Sequence, residues 1–542
     1  MAPPYFPLSY PFTVPTFSGL TESERLPLSR RSSPAANPER GANGAMSVTT
    51  VTPPPQPSQT QDATPPRNAF DRFFEISRRG STVRREILAG LTTFATMAYI
   101  VVLNPLIIGT APDKGGHLLG IAPVAGVTAL VAAVMTILMG LIGKVPFGVA
   151  TGLGLNAFVA YSVASRMSWP EAMGLVVIEG LLIAVLVITG FRQAVFQAIP
   201  RELKAAIAVG IGLFISLIGF VDGGLVRRIP DAANTTVPVQ LGSDGTLHGW
   251  TSLVFVVGLL LTGVLVARKV RGGMLIGIIG TTVFAAIVNA LAKPGPSVVN
   301  GKPNPTGWQL SVPTLPHPLF QAPDLHLVGH VSFGAFASVG VLTAILLVFT
   351  LVLSDFFDVM GTTVGLARQA GLATPKGDIP RLGRVLFVDG IAAAAGGGAS
   401  ASSATTYVES SSGIADGGRT GLTSVVTGVL FLAALLLTPL VQLVPSEAAG
   451  PALVIVGALM IRQVRDIDFS DLGVAIPAFL TMVLMPFTYS ITDGIGAGFI
   501  SWVAIRLVRG KGREIHPLMW GVTIVFVIYF GINVVKSLTG VS

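Results

Sequence analysis

The sequence predicts an all-α polytopic membrane protein with fourteen transmembrane segments, arranged as two inverted repeats of seven. Three observations carry this reading. Hydrophobic side chains make up 51% of the 542 residues and charged ones only 11%, with a mean hydropathy of +0.71, which is too apolar for a soluble multidomain protein. Apolar stretches near the roughly 20-residue span requirement recur from residue 87 onward, among them "GLTTFATMAYIVVLNPLIIG" and "GLTSVVTGVLFLAALLLTPL". Lys and Arg gather in short clusters at the ends of these stretches, so the net charge of +8 reads as membrane orientation and not as a nucleic-acid footprint. Hydrocarbon leaves backbone polar groups without outside partners, and the segments are therefore helices wherever they meet lipid. With no cysteine in the chain, disulfides, thiolate metal sites and cysteine nucleophiles are excluded.

Residues 1–66, rich in Pro, Ser and Thr without apolar periodicity, are expected to form a disordered tail, with Met46 a second candidate start. A basic cytoplasmic lead-in follows at 67–86. Membrane pieces are expected near 87–109, 121–142, 148–165, 171–190, 203–221, 250–267 and 273–292, within a first repeat spanning 87–292. An extracellular loop at 293–335 precedes a second repeat over 336–508, with pieces near 336–366, 383–397, 403–414, 419–442, 448–461, 473–488 and 493–508. Lys and Arg test the count. With "RFFEISRRGSTVRR" in the cytoplasm, seven spans per half bring Lys144, "FRQAVFQAIPRELK", "ARKVRGG", "ARQAGLATPKGDIPRLGR", "GGRTG", "RQVR" and "RLVRGKGR" to the same side. An odd number of spans per half inverts the second half relative to the first. The C-terminal segment 509–542 holds a further apolar stretch at 516–535, read as an added or half-embedded helix.

The third piece of each half is short and rich in small or polar residues: "FGVATGLGLNAFVAYSV" and "ASASSATTYVESSSGI". Interrupted segments at corresponding positions mark a transporter binding site. A carboxylate inside a membrane segment costs a few kcal/mol, roughly, so such acids usually face a polar cavity. Asp358 in the eighth piece and Glu409 in the tenth stand out, with no buried Arg evident to pair with them. Asp355, three residues before Asp358, can support its neighbour, and Asp389 can serve packing as well as function. Asp416 and Arg419 read as a turn or cap. Gly152 and Gly154 permit close approach of a helix or of a ligand, and Asn156 suits a polar ligand and an interhelical hydrogen bond equally. Phe357, Phe158 and Tyr407 flank these positions; such aromatics usually pack, although a planar ligand would use them. All six histidines fall in loops or beyond the fourteenth piece, so no metal site, cofactor or hydrolytic nucleophile and base is expected, and a proton relay in the core would use carboxylates.

Taken together, "TTFATMAYIVVLNP", "ATGLGLNAF", "DFFDVMGT", "TTYVESSSGI" with "GGRTGL", and "IPAFLTMVLMPFTYSI" with "DGIGAGF" resemble the nucleobase-ascorbate transporters, within them the AzgA-like hypoxanthine/guanine/adenine permeases. The resemblance covers about residues 85 to 508. It implies a core domain of pieces one to four and eight to eleven, a gate domain of pieces five to seven and twelve to fourteen, and a short extended stretch followed by a half-helix in pieces three and ten. Substrate would lie between those two pieces, with Asp358, Glu409, Asn156 and Gly154 as the matched contacts. Val359 stands where the uracil and xanthine branches carry His, which favours the AzgA-like branch over pyrimidine transport; the alternative is a sibling transporter for uracil, xanthine or an inorganic anion, and Asp358 and Glu409 argue against the anion carrier. A purine offers N–H donors on a flat apolar body, so a carboxylate can accept from it while Phe357, Phe158 and Tyr407 cover its faces. One of Asp358 and Glu409 would carry a coupled proton. The expectation is a proton-coupled purine nucleobase importer of elevator type in the plasma membrane, with a cytoplasmic N-terminus and a homodimer formed through the gate.

Overall fold

A computed structural model of the chain describes residues 68–189, 199–228, 239–243, 245–299, 302–309, 311–315, 321–372, 379 and 381–539. The expected tail over 1–66 lies outside them. Among the described residues, nine helices are long and apolar enough to cross a membrane, and three shorter apolar helical stretches, Val341–Phe356, Leu472–Thr488 and Pro517–Gly531, accompany them.

A short helix α1 (Ala69–Phe74) precedes α2 (Val83–Met97), which the Thr82 hydroxyl caps by accepting from the Arg85 N–H. The apolar run expected as one span over 87–109 is broken at Ala98–Tyr99, after which α3 (Ile100–Ile108) begins. Pro105 lies inside α3 and has no N–H for the Val101 carbonyl four residues earlier. Next come α4 (Ile121–Leu138), strand β1 (Val149–Thr151), the half-helix α5 (Leu153–Phe158), α6 (Trp169–Ile188) and α7 (Arg201–Asp222). Short hairpin strands β2 (Val226–Arg228) and β3 (Val239–Leu241) pair outside the helices, followed by α8 (Gly249–Ala267), α9 (Gly273–Ala292) and the small β4 (Val298–Val299) and β5 (Lys302–Pro303) pair.

In the second half the piece expected over 336–366 is split. A turn of helix, α10 (Ala335–Ser338), is separated by Gly340, whose φ of 82° no continuing helix can adopt, from α11, which runs from Val341 to Gln369. After α12 (Leu382–Gly398) come strand β6 (Ala404–Thr406), the half-helix α13 (Ser410–Ala415), α14 (Gly421–Ala434), α15 (Ser446–Met460), α16 (Leu472–Thr488), α17 (Ile491–Val508) and α18 (Pro517–Thr539). All of the expected stretch 516–535 but His516 thus belongs to one helix.

The packing falls into two sets. In one, α6 lies along α12, and α14 packs on α2 and α4; in the other, α7 packs on α15 and α16, α8 on α9 and α15, and α16 on α17. Helices α6 and α12 approach to backbone contact, since a Cβ at Gly180 would sit 2.1 Å from the Ala394 nitrogen and one at Gly390 2.9 Å from the Ala184 nitrogen. Within lipid, where apolar side chains gain nothing by meeting each other instead of acyl chains, such small-residue seams supply the close packing that holds helices together.

Candidate substrate-binding site

Two extended stretches meet in the middle of the first set. Strand β1 pairs antiparallel with β6 in the register Val149↔Thr406, Ala150↔Thr405 and Thr151↔Ala404, and the ladder continues through Tyr407 N–H to the Gly148 carbonyl and Gly152 N–H to the Ser403 carbonyl. A two-stranded ladder satisfies only its inner edges, and side chains complete the outer ones. Thr136 bonds both the N–H and the carbonyl of Val149 at 2.9 Å, and the Asp389 carboxylate accepts from the Thr406 N–H and hydroxyl at 2.8 Å. The glycine run before β6 has a steric cause. The chain turns back on α12 with Ser400 and Ser402 at φ of 57° and 74°, and the Ser402 carbonyl comes to rest where a Cβ of Gly396 would be.

Each strand leads into a half-helix, so the site residues sit where backbone changes from extended to helical. Glu409 occupies the N-cap position of α13 and is half-buried. Its carboxylate Oε1 accepts from the Tyr99 hydroxyl at 2.5 Å, and its carbonyl accepts from Thr96 Oγ1 at 3.3 Å. Asp358, on α11, is exposed although Asp355 and Val359 beside it are buried. Helix α11 packs on α5, α6, α7, α13, α17 and β6. Asp358 is close enough to act electrostatically on Glu409, Tyr99 and Tyr407. The two expected acids therefore share one region of the fold.

Other expected residues take different parts. Asn156 on α5 is fully buried; its amide donates to Thr151 Oγ1 at 3.3 Å, while its Oδ1 meets no protein donor. Gly154 is where α5 meets α7, since a Cβ there would lie 2.7 Å from Ile211 Cγ2. Tyr407 donates its hydroxyl to the Thr151 carbonyl at 2.5 Å and so ties the two strands together. Phe158 has no exposed surface and packs in the core. The side chain of Phe357 lies outside the described residues. Asp416 and Arg419 do cap, as expected: Arg419 Nη1 donates to the Ile414 and Gly418 carbonyls at the end of α13, and Asp416 accepts from Thr92 and pairs with Arg271.

Two residues outside the expected set join this region. Tyr99 at the α2–α3 break is one. Glu179 on α6 is the other: fully buried, it accepts from Ser403 Oγ at 3.1 Å, and the buried Asp355 lies within electrostatic reach of it. The cost of an intramembrane carboxylate applies to the lone acid in "VVIEGLL" as it does to Asp358, and that signal was readable. Among the described residues no group of three or more acids or histidines is arranged to hold a metal ion.

Comparisons with known proteins agree with this architecture. Guanine/hypoxanthine permease PbuG of Bacillus subtilis (strain 168) is 39% identical over 463 residues, covering 84% of this chain and 98% of that protein. Adenine permease AdeP of Escherichia coli (strain K12) is 36% identical over 461 residues, covering 85% and 95%. Among solved structures, the transmembrane domain of a cyanobacterium bicarbonate transporter, BicA, superposes with a TM-score of 0.51 at 13% identity over 77% of this chain and 97% of that one. SLC26A9 superposes at 0.53 and 11% identity over 79% and 66%, so both show a shared fold and nothing finer. Residues 84–496 match the family model described as Permease family, and the chain belongs to that family, the nucleobase-ascorbate transporters.

Proposed function

We propose that this chain imports purine nucleobases, with adenine, guanine and hypoxanthine as the substrate class, in symport with protons across the plasma membrane. The observation that carries the reading is the placement of Glu409 at the β6–α13 junction, within electrostatic reach of the exposed Asp358. A carboxylate there is an acceptor for the N–H edge of a purine, and irregular backbone at membrane depth is tolerated where it lines a cavity. The relatives named as guanine/hypoxanthine and adenine permeases support the substrate class.

The transport step in this reading is movement of a core, α2–α6 with α11–α14, against a gate, α7–α9 with α15–α17, the halves being inverted repeats and the N-terminus cytoplasmic. The two packing sets are consistent with that division. A homodimer through the gate completes the proposal. An anion carrier on the same fold would present the open N-terminal ends of half-helices to its substrate, whereas here Glu409 occupies that position on α13.

The test uses cells lacking their own purine permeases and radiolabelled hypoxanthine. Glu409→Gln turns half of the acceptor into a donor facing the ligand N–H groups and should abolish saturable binding, a loss of 100-fold or more, roughly, for an unpaired buried polar group. Asp358→Asn, fixed in the neutral form, should still exchange purine across the membrane without concentrating it. Wild-type, pH-dependent accumulation by both variants at normal abundance would refute the two-carboxylate site.

A further inference from the structure

We infer that Tyr99 is a positioning residue for substrate selection, holding the Glu409 carboxylate so that it presents an acceptor to the ligand; this rests on the purine reading above. The geometry comes first. Tyr99 is 1% exposed, so its ring is held by the core, and it is the N-cap residue of α3 at the join with α2, its carbonyl accepting from the Leu103 N–H at 2.9 Å. Its hydroxyl reaches Glu409 Oε1 at 2.5 Å across 310 positions of sequence. Among the described residues it is the one side chain that hydrogen-bonds this carboxylate, because Thr96 addresses the Glu409 carbonyl instead.

The consequence follows from donor and acceptor chemistry. A hydroxyl that donates to one carboxylate oxygen restricts rotation of the group and keeps that oxygen in the acceptor role. The rest of the carboxylate is then oriented in advance for a ligand N–H, and less freedom is lost on binding. Without the hydroxyl, Glu409 can rotate, and a ligand that lacks the N–H is no longer penalised as strongly. Tyr99 thereby affects which heterocycle binds without touching it. Asp358 and Tyr407 are the other polar groups near enough to influence the pair, and both remain in place when only the Tyr99 oxygen is removed.

Tyr99→Phe deletes that single atom. Uptake of hypoxanthine and competition by 1-methylhypoxanthine, which carries a methyl in place of one N–H, are measured for wild type and variant in the same cells. The expected result is a rise of about tenfold in the hypoxanthine concentration giving half-maximal uptake, the effect of one lost hydrogen bond to a charged group, with the maximal rate per transporter within about twofold. The preference for hypoxanthine over its methylated analogue should shrink by a similar factor. This ratio does not depend on how much protein reaches the membrane, so it decides the matter even for a poorly inserted variant. Combining Tyr99→Phe with Glu409→Asp, whose shorter side chain withdraws from the hydroxyl, should add little to the effect of Glu409→Asp alone. An unchanged preference, or equal weakening for both ligands, overturns the inference. Failure of wild type to take up hypoxanthine would instead refute the purine reading itself.

Discussion

Glu75 shows how single residues tie distant parts of the chain together on the side expected to be cytoplasmic. At φ 61° it ends α1 and turns its carboxylate to Arg79, at 2.8 Å, and to Arg381, at 2.7 Å from 306 positions away. Arg79 also donates to the Lys144 and Arg419 carbonyls, so α1, the loop after α4 and the loops before α12 and α14 meet at one cluster. Burial favours the neutral acid, but the hydrogen bond from Arg381 and the charge of Arg79 outweigh it and hold the Glu75 pKa down to about 2. A carboxyl depressed in the folded state stabilises it above the ordinary pKa of about 4.3, and the contribution is lost as pH falls from there toward 2. Glu75→Gln should therefore lower the apparent melting temperature of the purified protein by an amount equivalent to about 1 kcal/mol, with an unchanged gap from pH 6 to 8 and a narrowing gap below about 4. A gap that closed between pH 7 and 6 would assign the effect to another group. Such a pairing is illegible in a single sequence because nothing local links positions 75 and 381. Glu409 and Asp358, by contrast, were legible because an acid in an apolar run is costly wherever it points. Tyr99 was not, since a phenol is apolar enough to belong in the run and its partner lies on another segment.

At the scale of elements, hydropathy marked where helices lie, and the small and polar runs marked where they stop. The joins were less visible. The α2–α3 break lies inside a continuously apolar stretch, where composition has no signal, and the α10–α11 split rests on the positive φ of Gly340. The α6–α12 seam is the contact that places Glu179 and Asp389, because each acid immediately precedes a glycine of the seam, Gly180 or Gly390. The close approach brings Glu179 to Ser403 and Asp389 to Thr406 on either side of β6. Gly180→Ala puts a methyl against the Ala394 backbone, which cannot retreat without moving the strand. It should cost roughly 1–3 kcal/mol and reduce uptake. The same exchange at Gly383, on α12 with nothing within 4 Å of its Cβ position, should be neutral or stabilising by up to about 1 kcal/mol from helix propensity. Melting temperatures of the two variants, measured side by side, check the argument. Equal effects would mean that the seam does not constrain the site.

For the whole molecule, the apolar composition and the ladder of basic ends led to a helical permease, and α18 is the element that the charge pattern left undecided. Its 23 residues rise about 34 Å at 1.5 Å each, enough to cross a hydrocarbon core of roughly 30 Å. Near its start, His516 and Pro517 line a 540 Å³ cavity with Arg506, Arg513 and Glu514, a basic cluster expected in the cytoplasm. Further along, Phe526 packs on Phe499 of α17 and Phe349 of α11, and the Tyr529 hydroxyl accepts from Arg166 at 2.8 Å. Arg166 follows α5 at the end of the third piece, which is expected to face outward, and a crossing α18 would place position 537 on that same side. The native chain has no cysteine, and single cysteines therefore report without background. Lys511→Cys and Arg268→Cys should resist an impermeant thiol reagent applied to intact cells and react after lysis. Ser537→Cys should react before lysis. A half-embedded α18 would protect position 537 along with the other two, whereas labelling of position 511 or 268 in intact cells would overturn the orientation of the whole bundle.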